Sequence, residues 1–158
     1  MLKKSFSDIP LPLYKKILDL MPIPCIDLVF KANNDVYLFK RNYEPAKDEW
    51  WLVGGRIKRN ETFKQAAIRK AKEEIGVDIK IIKMIGTYEI FFPVNRFDTK
   101  DSQIGTHTIA IGFLVEPKQK GFKFKLNEEY KGCKIIKRVD NSLHPYVKKV
   151  LRDAKVFE

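Results

Sequence analysis

The chain has 158 residues, enough for one domain with its own core and too few for a comfortable second, so a single domain over residues 1–158 is expected. A hydrophobic share of 44% with 12% aromatics excludes a disordered chain. Thirty-one basic against 20 acidic residues leave a net charge of +11, which favours an anionic partner such as a nucleotide, a nucleic acid or a membrane surface. The basic residues are scattered, and the run from Lys118 to Lys125 alternates with apolar residues, as a solvated lysine-rich surface does. Cys25 and Cys133 stand far apart and outside any CxxC pair, which argues against a disulfide framework or a zinc site and makes a reducing cytoplasm the expected compartment. Lys3 and Lys4 are not followed by an apolar core, so no secretory leader is expected, and no apolar run approaches a membrane span.

In chain order, "LPLYKKILDLM" places Leu13, Ile17, Leu20 and Met21 at helical spacing and predicts a short amphipathic helix. "PIPCIDLVF" and "DVYLFKR", separated by Ala32-Asn33-Asn34, predict a β-hairpin. A polar loop from Asn42 to Glu49 leads to "WWLV" and then to Gly54-Gly55. Thr62 followed by Gln65 has the spacing of a capping box, and Gly76 is placed to end the helix that starts there. Beyond it, "IKIIKMIGTYEIFF" and "HTIAIGFLVEP" read as strands, "CKIIKRV" as a weaker one, and "HPYVKKVLRDAKV" as a closing helix begun by His144. Strands dominate and helices are few, which predicts a mixed α+β domain.

The central helix carries the chemistry. At about 100° per residue from Phe63, Ala67, Ala71, Ile75 and Ile68 fall between about 40° and 140° and form the expected buried stripe. Glu73 falls near 280°, beside Arg69, as an exposed i, i+4 partner. Glu74 falls near 20°, inside the margin of the apolar stripe, where a carboxylate must be protonated, paired or bound to a cation. Lys70, four residues back, is one partner within reach; a hard divalent cation is the other. Paired glycines at 54 and 55 allow a bare backbone carbonyl to approach a ligand.

Gly55, Glu61, Arg69-Lys70, Ala71, Glu73-Glu74, Gly76 and Val77 together resemble the Nudix box, residues 55–77, with one departure: Lys70 stands where the pattern has a glutamate after the arginine. The resemblance implies an α/β/α sandwich with a mixed sheet and a central loop-helix motif, and Mg²⁺-dependent hydrolysis of a nucleoside diphosphate linked to another group. It also implies Glu73 and Glu74 as metal ligands, with Glu61 and Arg69 tying loop to helix. Replacing a box glutamate by lysine makes one Mg²⁺ per site the expectation, with Mn²⁺ able to stand in.

The segment from Pro22 to Val77 is most similar to the GDP-mannose mannosyl hydrolase branch of that family, which attacks the sugar carbon and releases GDP and free mannose. By that similarity Gly54 gives its carbonyl to the metal. Arg41, Arg56 and Arg69 bind or neutralise the diphosphate, Asp27 contacts substrate, and the molecule is a homodimer; no membrane partner is expected, and a nucleic-acid partner is less expected than a nucleotide sugar but stays open. Asp27 alternates with Ile26 and Leu28 in an apolar strand, so a buried acid bonded within the protein is the alternative there.

The downstream half departs from the branch. Its base histidine and metal-binding glutamine align with Tyr130 and Glu129, and tyrosine, titrating near 10, is a poor base at neutral pH. Glu129 is then a candidate ligand, and Glu128 or Glu129 a candidate base. Two further positions of the branch align with Ile90 and Thr108, and His107 aligns with a strand histidine that is here expected to be structural. The alternatives to a nucleotide-sugar hydrolase are a diphosphatase attacking phosphorus in ADP-ribose-like or nucleoside triphosphate substrates, and a non-catalytic nucleotide- or RNA-binding module.

Overall fold

The computed structural model describes residues 9–157, so Lys3 and Lys4, which bore on a leader, lie outside it. Among the described residues the three predicted helices and five predicted strands appear in the expected order, and two short strands, β3 and β4, form where the sequence showed only an apolar run and a glycine pair: α1 (Leu11–Leu20), β1 (Ile23–Ala32), β2 (Asp35–Arg41), β3 (Trp50–Trp51), β4 (Val53–Arg56), α2 (Phe63–Ile75), β5 (Ile79–Phe92), β6 (Thr106–Pro117), β7 (Tyr130–Ile136) and α3 (Pro145–Ala154). Among the described residues no helix is long and apolar enough to cross a membrane.

The seven strands form one mixed sheet ordered β3-β2-β1-β6-β5, with β4 added to β1 and β7 to β2. β1 is central: it runs parallel to β6, pairs antiparallel with β2 through Phe30–Ala32, and pairs antiparallel with β4 through Cys25–Leu28. Buried on both faces, β1 reads as a nearly continuous apolar run, as a central strand does. One apolar cluster gathers α3 residues such as Val147 and Leu151 against Val29, Val36 and Leu38. The other gathers Ala67, Ala71 and Ile75 of α2 against Ile26, Leu28 and Phe30. Helices thus cover opposite faces of the sheet, giving the α+β Nudix-type sandwich.

Several expectations are adjusted. The predicted stripe of α1 is not its inward face: Leu13, Leu20 and Met21 are exposed, while Tyr14 and Leu18 line a cavity. In α2 the buried set is Ala66, Ala67, Ala71, Glu74 and Ile75; Phe63, the first helical residue, is exposed. β7 starts three residues earlier than "CKIIKRV" suggests, because the antiparallel partner β2 extends through Arg41 and draws Tyr130 into register with it.

Candidate active site

The ends of α2 explain why its acids are tolerated. Thr62 and Gln65 exchange reciprocal hydrogen bonds as a capping box at the start, and Gly76 adopts φ 71° at the end, the left-handed cap that suits glycine. Past that cap the chain returns so that Lys125 N and Asn127 N donate to the carbonyls of Ile75 and Glu74, satisfying acceptors that would otherwise add to the negative pole of the helix.

Glu74 is buried and fully engaged. Its Oε2 accepts from the Tyr130 hydroxyl at 2.7 Å and from Gly54 N at 3.3 Å, and its Oε1 lies 2.5 Å from Lys70 Nζ. Gly54 can sit there only as glycine: a Cβ would fall 2.1 Å from the Ile26 carbonyl oxygen and 2.4 Å from Asp27 Oδ1. Burial and the neighbouring Glu74 hold the Tyr130 hydroxyl well above its ordinary value, so it stays protonated and donates.

Glu73 is exposed on the neighbouring face and pairs with Arg69 at 3.0 Å. Arg69 is a brace. It donates from Nε and Nη2 to the two oxygens of Glu61 at 2.5 and 2.8 Å, and from Nη2 to the Arg56 carbonyl at 3.1 Å. Loop and helix are therefore held together by the Glu61–Arg69 pair.

A cavity of about 250 Å³ opens beside these groups. Four cations, Arg41, Arg56, Lys70 and Arg96, share its wall with Asp27, Glu44, Glu74 and Glu129. Arg41 is oriented by donating from Nε to the Pro45 carbonyl at 2.7 Å, and the Arg56 guanidinium lies 5.4 Å from the centre of the Tyr14 ring. Arg96 donates to both oxygens of Glu129 at 2.7 and 2.6 Å and stacks 4.2 Å above Tyr43, so three loops meet at the cavity edge. Asp27 is buried; that burial pushes its pKa up to about 7, against the opposing pull of the Tyr146 hydroxyl and Arg41 and with a further push from Glu74.

The structure therefore brings Asp27, Arg41, Gly54, Arg56, Glu74 and Glu129 to one cavity. Arg69, Glu73 and Glu128 do not line it; Glu128 contributes only its carbonyl, which accepts from Asn42 Nδ2 at 3.0 Å. Ile90 and Thr108 also line the wall, whereas His107, between Thr106 and Thr108, stacks on Phe91 at 4.3 Å. His144 caps α3 by accepting from Tyr146 N, and Trp51 stacks on Tyr146 in the core. Sequence reasoning missed Arg96, because an arginine in a polar loop has no periodic signal. It also missed Tyr146, whose helical position gave no hint of the acid it would meet.

The chemistry of a hard-cation ligand is met at Glu74: it is a buried carboxylate on the cavity wall with one oxygen turned to a positive charge. That positive charge is the Lys70 ammonium, 2.5 Å from Oε1. Glu73, its neighbour in the box, is exposed, paired with Arg69 and absent from the cavity wall.

The sequence matches the NUDIX domain family over residues 22–153. It is 32% identical to the low-salt glycan biosynthesis protein Agl8 of Haloferax volcanii over 94% of this chain and 92% of that protein. It is 30% identical to the ADP-ribose pyrophosphatase of Methanocaldococcus jannaschii over 66% of this chain, spanning only 56% of that relative. The structure superimposes on the MutT protein of Methanosarcina mazei Go1 with a TM-score of 0.67 at 18% identity, covering 86% of this chain and 96% of that one. Members of the family generally use a divalent metal such as Mg²⁺ on a nucleotide-derived substrate. With the box, the fold and the family match in agreement, this chain belongs to the Nudix hydrolase family.

Proposed function

We propose that the protein hydrolyses a nucleoside diphosphate sugar of the GDP-mannose kind, releasing the nucleoside diphosphate and the free sugar. The observation that carries this reading is the wall of the cavity, where Arg41, Arg56 and Arg96 converge on a space also faced by Asp27 and Glu129. The whole-length likeness to a glycan biosynthesis protein supports a sugar as the group attached to the diphosphate.

In this reading Arg41 and Arg56 hold the diphosphate, whose negative charge grows as the bond to the sugar breaks, and preorganised guanidinium groups stabilise that charge. Arg69 acts through the loop: by gripping Glu61 and the Arg56 carbonyl it sets where the Arg56 side chain starts. Asp27 contacts the sugar. Glu129, the loop carboxylate on the cavity, takes a proton from the attacking water, while Arg96 fixes its orientation. Tyr130, whose hydroxyl is spent on Glu74, has no part as a base. One divalent ion, held by Glu74 with the Gly54 carbonyl, would add further charge stabilisation at the departing diphosphate. A homodimer, expected from the resemblance, completes the reading and is checked by light scattering.

A second reading, attack at phosphorus, is favoured by the similarity to an ADP-ribose pyrophosphatase. One incubation separates them. The protein is mixed with Mg²⁺ and, in turn, GDP-mannose, ADP-ribose and GTP, and the products are identified. GDP with free mannose supports the first reading. GMP with mannose 1-phosphate, or AMP with ribose 5-phosphate, replaces it by the second. Absence of turnover with all three, together with metal-independent binding, replaces both by a binding module.

A further inference from the structure

Lys70 is the one departure from the box, and its side chain lies where the chemistry of the site places a cation. The ammonium is 2.5 Å from Glu74 Oε1 and its side chain is only 16% exposed. It is held there from two sides. The stem lies against the glycine turn so closely that a Cβ at Gly55 would be 2.7 Å from Lys70 Cε and 3.0 Å from Nζ. The other oxygen of Glu74 is already taken by Tyr130 and Gly54 N, which leaves Oε1 as the oxygen a cation can claim.

We propose that Lys70 is a built-in occupant of the cation position at Glu74, so that its ammonium and a divalent ion bind that carboxylate in exclusion of one another. The repulsion between two cations at one carboxylate oxygen argues for this. Glu74 carries a single negative charge, and an ammonium beside a divalent ion in a partly water-excluded pocket repels it strongly. Glu73 is exposed and paired with Arg69, and the other carboxylates of the wall are engaged elsewhere: Asp27 with the Tyr146 hydroxyl, Glu44 with Lys47 N and Glu129 with Arg96. An entering ion must therefore turn the Lys70 side chain away, and the cost of breaking that buried pair appears as weakened ion affinity. An arginine or lysine here keeps the position filled; a neutral residue opens it.

The inference rests on Glu74 being the cation-facing carboxylate in the proposed hydrolase. Its test uses no substrate, so failure of the nucleotide-sugar assignment leaves it standing. Mn²⁺ binding is measured by electron paramagnetic resonance and calorimetry on the wild-type chain and on Lys70→Gln, Lys70→Arg and the Lys70→Gln/Glu74→Gln double variant. The expected result is binding at least about tenfold tighter in Lys70→Gln, equivalent to ~1.4 kcal/mol, wild-type-like binding in Lys70→Arg, and loss of the gain in the double variant. Thermal melting gives a parallel readout: Mn²⁺ raises the Tm of Lys70→Gln more than that of the wild type, because it refills an emptied position. Equal affinity in wild type and Lys70→Gln, a gain that survives Glu74→Gln, or no binding by either chain overturns the proposal. Should Lys70→Gln fail to fold even with Mn²⁺, the wild-type chain decides. The ¹⁵N resonance of the Lys70 ammonium must move as Mg²⁺ saturates the protein, and an unmoved resonance at saturation, or no saturation, counts against exclusion.

Discussion

Tyr146, near the start of α3, gives its hydroxyl hydrogen to Oδ2 of Asp27 on β1 at 2.5 Å, across 119 residues of sequence. The bond links the closing helix to the central strand and satisfies one oxygen of a buried acid. It does not offset the whole cost of burial, since the carboxyl still holds its proton up to about pH 7. The Tyr146 hydroxyl, itself raised by burial and by Asp27, remains the donor throughout.

A pH dependence follows with a definite sign. An unburied aspartate releases its proton near 3.8, and Asp27 in the folded chain does so near 7. Between those values the folded chain holds the extra proton, so this group makes stability fall as pH rises through that window and level off above it. Asp27→Asn removes this slope and stabilises the fold at pH 8 by up to about 4 kcal/mol, the free energy of a shift of that size. Urea unfolding of both chains at pH 5 and pH 8 measures the difference; parallel slopes would remove Asp27 as its source.

The Arg69 brace and its exposed neighbour are expected to differ sharply. Arg69→Ala leaves the nearly buried Glu61 without its cation and should cost about 3–5 kcal/mol. Glu73→Ala removes a solvent-facing partner and should cost about 0.5 kcal/mol or less. Denaturant midpoints of the two variants in one buffer make the comparison.

Tyr130→Phe deletes a buried hydrogen bond to Glu74 and should destabilise by about 1–2 kcal/mol. Its pH–rate profile should keep the ascending limb of the parent enzyme, because the hydroxyl does not release its proton in that range. Disappearance of that limb would give the tyrosine the role of base.

Gly54→Ala should be among the most damaging small substitutions, costing more than about 3 kcal/mol, since its methyl group meets backbone and β4 must leave β1. Gly121→Ala is the control. There φ is +74° with no atom near the added carbon, so about 1 kcal/mol of backbone strain is the only cost. Melting temperatures of the two proteins test the ranking.

What could be read in the sequence is what chemistry keeps local. The capping box at Thr62, the stop at Gly76, the β1–β2 hairpin at Asn33 and the exposed Arg69–Glu73 pair all lie within a few residues of their partners. The position of Glu74 on the helical wheel identified it as an acid in need of a partner, and Lys70 was among those in reach. Partners brought by the sheet were not legible. Tyr146 to Asp27, Arg96 to Glu129 and Tyr130 to Glu74 join distant segments with no shared period. Phe63, the zero of the wheel, lies beside the apolar stripe yet is exposed, because a wheel has no ends and a real helix exposes its first turn.

The hydroxyl that Tyr130 extends to Glu74 from the last strand also limits how far the box can be transplanted. Residues 54–77 grafted into another member of the family would carry Glu74 and Lys70 but leave behind the donor that occupies Oε2. In the recipient that oxygen would face whatever the host's last strand supplies, and the balance between ammonium and ion would be set anew. The motif is contiguous in the chain, yet one of the donors that hold its buried carboxylate comes from a strand more than fifty residues downstream.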